Sequence, residues 1–78
     1  MTEEVLLWPN PAGDNFTVGG ANGNDIIMYD VTGRQVYRAS ISSNKQEINI
    51  GFLQSGIYVV HVVAQSTGQR VVKKIIKE

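Results

Sequence analysis

The sequence predicts an all-β domain, an antiparallel sandwich of about seven strands, and three observations predict it. Short apolar runs are separated by closely spaced turn residues along the whole chain. Residues 46–50 alternate cleanly, with Ile48 and Ile50 on one face and Glu47 and Asn49 on the other. The run Ile57-Tyr58-Val59-Val60-His61-Val62-Val63 is β-branched and aromatic, a composition that packs on a pleated surface and favours strand over helix.

The elements follow in order. Residues 5–8 form a first short strand, ended by Pro9-Asn10-Pro11-Ala12-Gly13-Asp14, whose prolines and glycine interrupt regular structure. Residues 15–18 form a second strand, and Gly19-Gly20-Ala21-Asn22-Gly23-Asn24 is a flexible connection. Residues 25–31 form a third, with Ile26 and Met28 on one face and Ile27 and Tyr29 on the other. Thr32-Gly33 makes a tight turn that places Gly33 in the left-handed region, where a Cβ would clash. Residues 34–41 form a fourth strand and Ser42-Ser43-Asn44-Lys45 a polar turn before the alternating fifth. Residues 51–55 connect onward, with Phe52 and Leu53 expected to cover the end of the core. Gly56 opens the sixth strand, Ser66-Thr67-Gly68-Gln69 is a hairpin turn, and residues 70–77 form the last strand, with Val71, Val72, Ile75 and Ile76 apolar. Turns this close together predict that most neighbouring strands pair as antiparallel hairpins. The count matches the immunoglobulin-like sandwich.

The 78 residues suffice for one domain, 1–78, without an internal repeat or a dividing linker. Hydrophobic residues make up 42% and charged residues 18%, a globular balance. Seven Lys plus Arg offset seven Asp plus Glu, so the basic excess of a nucleic-acid binder is missing. The same balance gives weak colloidal repulsion and leaves weak homodimerisation open. The absence of cysteine excludes disulfides, thiolate metal sites and cysteine nucleophiles. The start Met1-Thr2-Glu3-Glu4 is acidic and is followed by only four apolar residues, which predicts a soluble chain without an N-terminal export signal.

Three stretches carry a resemblance. They are Leu7-Trp8-Pro9-Asn10-Pro11, then Ile27-Met28-Tyr29-Asp30-Val31-Thr32-Gly33-Arg34-Gln35-Val36, then Leu53-Gln54-Ser55-Gly56-Ile57-Tyr58-Val59-Val60-His61-Val62, with Lys74-Ile75-Ile76-Lys77 near the end. In this order and spacing they resemble the C-terminal sorting domain of type IX secretion system cargo from Bacteroidetes, the Por secretion tail. Trp8 stands where that family commonly has Tyr or Phe, and Glu78 follows the terminal lysine. The resemblance implies a domain carried behind a cargo that crosses the periplasm and ends at the outer-membrane surface or outside the cell. It implies protein partners: the outer-membrane export machinery and a sortase-like peptidase. It also implies that Met1 is a cloning start and that cargo preceded it.

The candidate partner-binding residues are Lys73, Lys74, Ile75, Ile76 and Lys77. Lysines on a last strand either blunt edge pairing or form a recognition strip, by charge or by strand addition. Ile75 and Ile76 are expected to split between core and exposed edge. Pro9, Asn10 and Pro11 read as a rigid turn, Asp30, Gly33 and Arg34 as a hairpin turn with a local Asp–Arg pair, and Tyr29 as a structural residue of the strand before it. Gly56, Tyr58, Val60 and Val62 read as core of the central strand. His61, the only histidine, reads as structural, because neither companion metal ligands nor a nucleophile and orienting acid can be assigned to it. No cofactor, metal, small-molecule substrate or catalytic set is predicted. The alternative is a carbohydrate-binding or adhesive sandwich, which would show a row of exposed aromatics. Trp8, Phe16, Tyr29, Tyr37, Phe52 and Tyr58 are instead expected mostly at core positions.

Overall fold

The computed structural model describes residues 5–78; the cloning start expected at Met1 lies outside the described residues. Seven strands form: β1 (Leu6–Trp8), β2 (Asn15–Gly19), β3 (Asn24–Tyr29), β4 (Gln35–Ser40), β5 (Lys45–Asn49), β6 (Gly56–Ala64) and β7 (Arg70–Lys77). Among the described residues there is no helix. The strands build two antiparallel sheets, β1-β2-β5 and β4-β3-β6-β7. The predicted all-β sandwich is therefore the observed architecture.

Period-two alternation assembles the core. Phe16 lies opposite Ile48 across β2 and β5, and Val18 points the same way as Phe16. In the other sheet Ile26 faces Val62 and Met28 faces Val60 across β3 and β6. These side chains, with Ile75 from β7, are buried in one cluster between the sheets. Fully burying an aliphatic side chain of this size contributes about 1.5–3 kcal/mol, so this shared cluster is the main term holding the sheets face to face.

Two expectations are corrected. Three neighbouring pairs, β1–β2, β3–β4 and β6–β7, do form antiparallel partners, but the other three connections carry the chain from one sheet to the other. Phe52 does not cover the core. It is 63% exposed and its ring lies 5.9 Å from that of Tyr37, while Leu53 packs on the core. The cause is local: the Asn49 side chain accepts the Gly51 N–H, and Leu53 N–H donates to Ile50 C=O, a tight turn that sends Leu53 inward and Phe52 out.

Two glycines have specific reasons. Gly33 has φ +87°, as expected for its turn. Gly19 lies under the Trp8 ring, where an added Cβ would come within 2.7 Å of it, so the bare backbone lets Trp8 lie across β2.

Candidate recognition surface

Strand β7 is an outer strand of the four-stranded sheet, paired with β6 along its inner edge from Gly56↔Lys77 to Val63↔Arg70. Alternation sends Ile75 and Lys77 toward the sandwich interior and Arg70, Val72, Lys74 and Ile76 to the outer face. Ile75 is 0% exposed, Lys77 8% and Ile76 36%, whereas Lys74 is exposed and Lys73 intermediate. Ile75 and Ile76 thus split between core and exposed edge as expected, while Lys77, one of the five candidates, is turned inward. Ile75 is core, and Lys77 is folded inward with Nζ 3.2 Å from the Glu78 carbonyl and 4.0 Å from Asp14 Oδ1. Buried ammonium groups require such oxygens, because desolvation without a partner is costly.

The Pro9-Asn10-Pro11-Ala12 segment, expected as a turn, also acts as a strap on β7. Both of its X-Pro bonds are cis. Asn10 donates from Nδ2 to Lys74 C=O and accepts from Ile76 N–H, each at 3.0 Å. Ala12 N–H donates to Ile76 C=O at 2.7 Å, and Glu78 N–H donates to Ala12 C=O at 2.8 Å. A side-chain amide offers N–H donors and a carbonyl acceptor in one planar group, so Asn10 serves both a C=O and an N–H of β7 where no strand is present. The role of Asn10 was missed from sequence; the signal was a polar amide held rigidly between two prolines.

The other motif residues meet at one end of the sandwich. Asp30 Oδ1 accepts from Thr32 N–H at 3.0 Å, Thr32 Oγ1 at 2.6 Å and Arg34 N–H at 3.0 Å, and Oδ2 lies 3.4 Å from Arg34 Nε. The Thr32 hydroxyl, then the Arg34 amide, hold the Asp30 carboxyl below its ordinary pKa. An open groove of about 420 Å³ separates this turn from the connection leading into β6, lined by Asp30, Arg34, Leu53, Gly56 and Tyr58 among others. Gly56 has φ +153°, and Tyr58 donates its hydroxyl to Gln54 C=O at 2.7 Å. Tyr58, Val60 and Val62 point inward and are buried.

On the outer face of the four-stranded sheet, the His61 ring meets Tyr29 edge-on at 4.8 Å, and Arg70 donates to His61 Nδ1 at 2.9 Å. Arg has only donors, so Nδ1 is the acceptor here. Nearby, Asp25 accepts from Gln65 at 2.7 Å and Ser40 at 2.9 Å and pairs with Arg38 at 3.4 Å; the Gln65 bond is the foremost cause of its lowered pKa. Among the described residues no three His, Cys, Asp or Glu side chains converge as a metal site would require.

The aromatic expectation is corrected in part. Phe16 and Tyr58 are buried, but Trp8 and Phe52 are exposed. Trp8 lies on the β1-β2-β5 sheet and Phe52 in the connection after β5, so they do not form the single row that stacking on a sugar chain would use.

A family model described as a secretion system C-terminal sorting domain matches residues 6–78. The chain belongs to this family. The sorting domain is 26% identical over 80 residues to an endo-acting ulvan lyase of Formosa agariphila, a match covering 99% of this chain and 16% of the lyase. It is 36% identical over 65 residues to β-agarase A of Zobellia galactanivorans, covering 80% of this chain and 12% of the agarase. The sorting domain thus spans less than a fifth of these relatives. Among solved structures it resembles part of PorZ, described as an essential bacterial surface component of the type-IX secretion system of Porphyromonas gingivalis. The TM-score is 0.80 at 23% identity, covering 95% of this chain and 11% of PorZ, a likeness of fold.

Proposed function

We propose that this sorting domain directs a polypeptide attached ahead of residue 5 through the type IX secretion system, and that the export machinery reads it as a folded body. One observation carries the reading: the family match runs over residues 6–78 and so takes in both sheets and every strand, rather than a short linear tag. The domain acts by binding. Catalysis belongs to the cargo and to a sortase-like peptidase that removes the tail. The route crosses the periplasm and ends at the outer-membrane surface or in the medium. Of the five candidates Lys73 to Lys77, Lys73, Lys74 and Ile76 are the ones a partner would meet, because Ile75 and Lys77 are buried.

The test fuses the domain to a reporter bearing an N-terminal signal peptide in a cell with a working type IX system. The reporter is expected at the surface or in the medium, and in the periplasm when the domain is omitted. A reporter that stays periplasmic with the intact, folded domain would refute the reading. Deleting residues 73–78 is a poor version of this test, since it also removes Ile75 from the core.

A further inference from the structure

The strap covers only part of the outer edge of β7. In an antiparallel strand the backbone N–H and C=O groups of alternate residues point to opposite edges. Ile76 N–H, Ile76 C=O and Lys74 C=O are bound by Asn10 and Ala12, which fixes the even-numbered residues of β7 as those facing outward. The remaining outward groups are Lys74 N–H and both groups of Val72 and of Arg70. They meet no partner among the described residues. An open half-edge therefore runs over residues 70–74, about 13 Å long at the usual strand rise, and ends abruptly at Asn10.

Its side chains are cationic on both faces. Arg70 and Lys74 stand on the outer face beside Val72, which is 58% exposed, and Lys73 on the inner. Among the described residues the ion pairs are Arg34–Asp30, Arg38–Asp25 and Lys77–Asp14, so no described carboxylate lies within ion-pair distance of Arg70, Lys73 or Lys74. A second copy fits this edge badly. Two β7 strands paired antiparallel about Val72 would set Arg70 of each copy opposite Lys74 of the other, and like charges directly opposed are destabilising.

We propose that residues 70–74 are the docking edge of the sorting domain, and that its occupant is an extended acidic segment of an export-machinery protein, added to β7 as a fifth strand. Backbone pairing supplies attachment, and carboxylates opposite Arg70, Lys73 and Lys74 supply selectivity. The Asn10 strap sets the register by blocking any strand that continues past Lys74. The proposal rests on the sorting reading above, and the unsubstituted fusion serves to separate the two: if that fusion is not exported, the sorting reading fails first.

The test uses the same reporter fusion. In Val72→Pro an outward N–H is lost while every β6–β7 bond is kept, because Val72 does not bond to β6, and proline is tolerated on an edge whose N–H faces solvent. Exported reporter is expected to fall about tenfold or more, with the far-UV spectrum and melting temperature of the isolated chain retained. Val72→Thr keeps the N–H and is expected to export normally. Should Val72→Pro not fold, Arg70→Glu/Lys74→Glu, which alters two exposed side chains and removes the Arg70–His61 hydrogen bond, reads the same edge and is expected to block export with the fold retained. Normal export by folded Val72→Pro overturns strand addition. Normal export by the double glutamate variant overturns the acidic occupant. If Lys74→Gln raises self-association and leaves export unchanged, the lysine only guards the edge and the proposal fails.

Discussion

Replacing Asn10 by alanine removes two hydrogen bonds that join residues 64 and 66 positions apart in sequence. A neutral hydrogen bond contributes a net of about 0.5–1.5 kcal/mol, so the pair is worth about 1–3 kcal/mol. Lys74 C=O and Ile76 N–H lie at an exposed edge, where water can replace the lost partners, and this places the expected loss in the lower half, about 1–2 kcal/mol. For a chain of this length total stability is about 4–12 kcal/mol, so the loss is a substantial fraction. Urea unfolding reads it directly. With a slope of about 1 kcal/mol/M, suited to a small domain, the midpoint should fall by about 1–2 M. Asn10→Asp keeps an acceptor for Ile76 N–H but loses the donor to Lys74 C=O, and should fall between parent and alanine variant. Amide exchange should accelerate at Ile76. A midpoint for Asn10→Ala within about 0.2 M of the parent would refute the reasoning, leaving the Ala12 backbone pair as the whole strap.

Two further predictions concern neighbouring features. Ile75→Ala should cost about 2–5 kcal/mol because the side chain is wholly enclosed, while Ile76→Ala, on the outer face, should cost about 1 kcal/mol; urea melts showing the reverse order would overturn the face assignment of β7. Acid should destabilise the domain through Asp25 and Asp30. Both have folded pKa values below the ordinary 3.8, so each contributes stability that is fully present above that value and is lost as pH falls through the lower folded one. Melting temperatures recorded across that window should decline less steeply in Asp25→Ala/Asp30→Ala, and an unchanged slope would show that other groups govern the acid response.

The strands were legible because their determinants are local. The alternation of residues 46–50, the β-branched run after Gly56 and the left-handed glycine at position 33 each announce themselves within a few residues. The ends of the core were harder. Gly51-Phe52-Leu53 offers two apolar candidates, and the turn made by the Asn49 side chain decides between them. On β7, adjacent Ile75 and Ile76 hide which face is inward; only pairing with β6 settles it, and with it the burial of Lys77 between its oxygen partners. Asn10 was least legible, since its partners lie at the far end of the chain and no spacing rule links them. The two members of the candidate surface that the sequence could not separate from the core, Ile75 and Lys77, are therefore the ones whose environment is set by distant contacts.

Because Ala12 and Asn10 bind backbone groups of residues 74–78, the strap is complete only when that last stretch lies beside the first turn. A polypeptide interrupted before it would lack Ile75 and leave the strap with nothing to hold. The strap thus ties the integrity of the first turn to that of the last strand, so a change at either one is felt at the other.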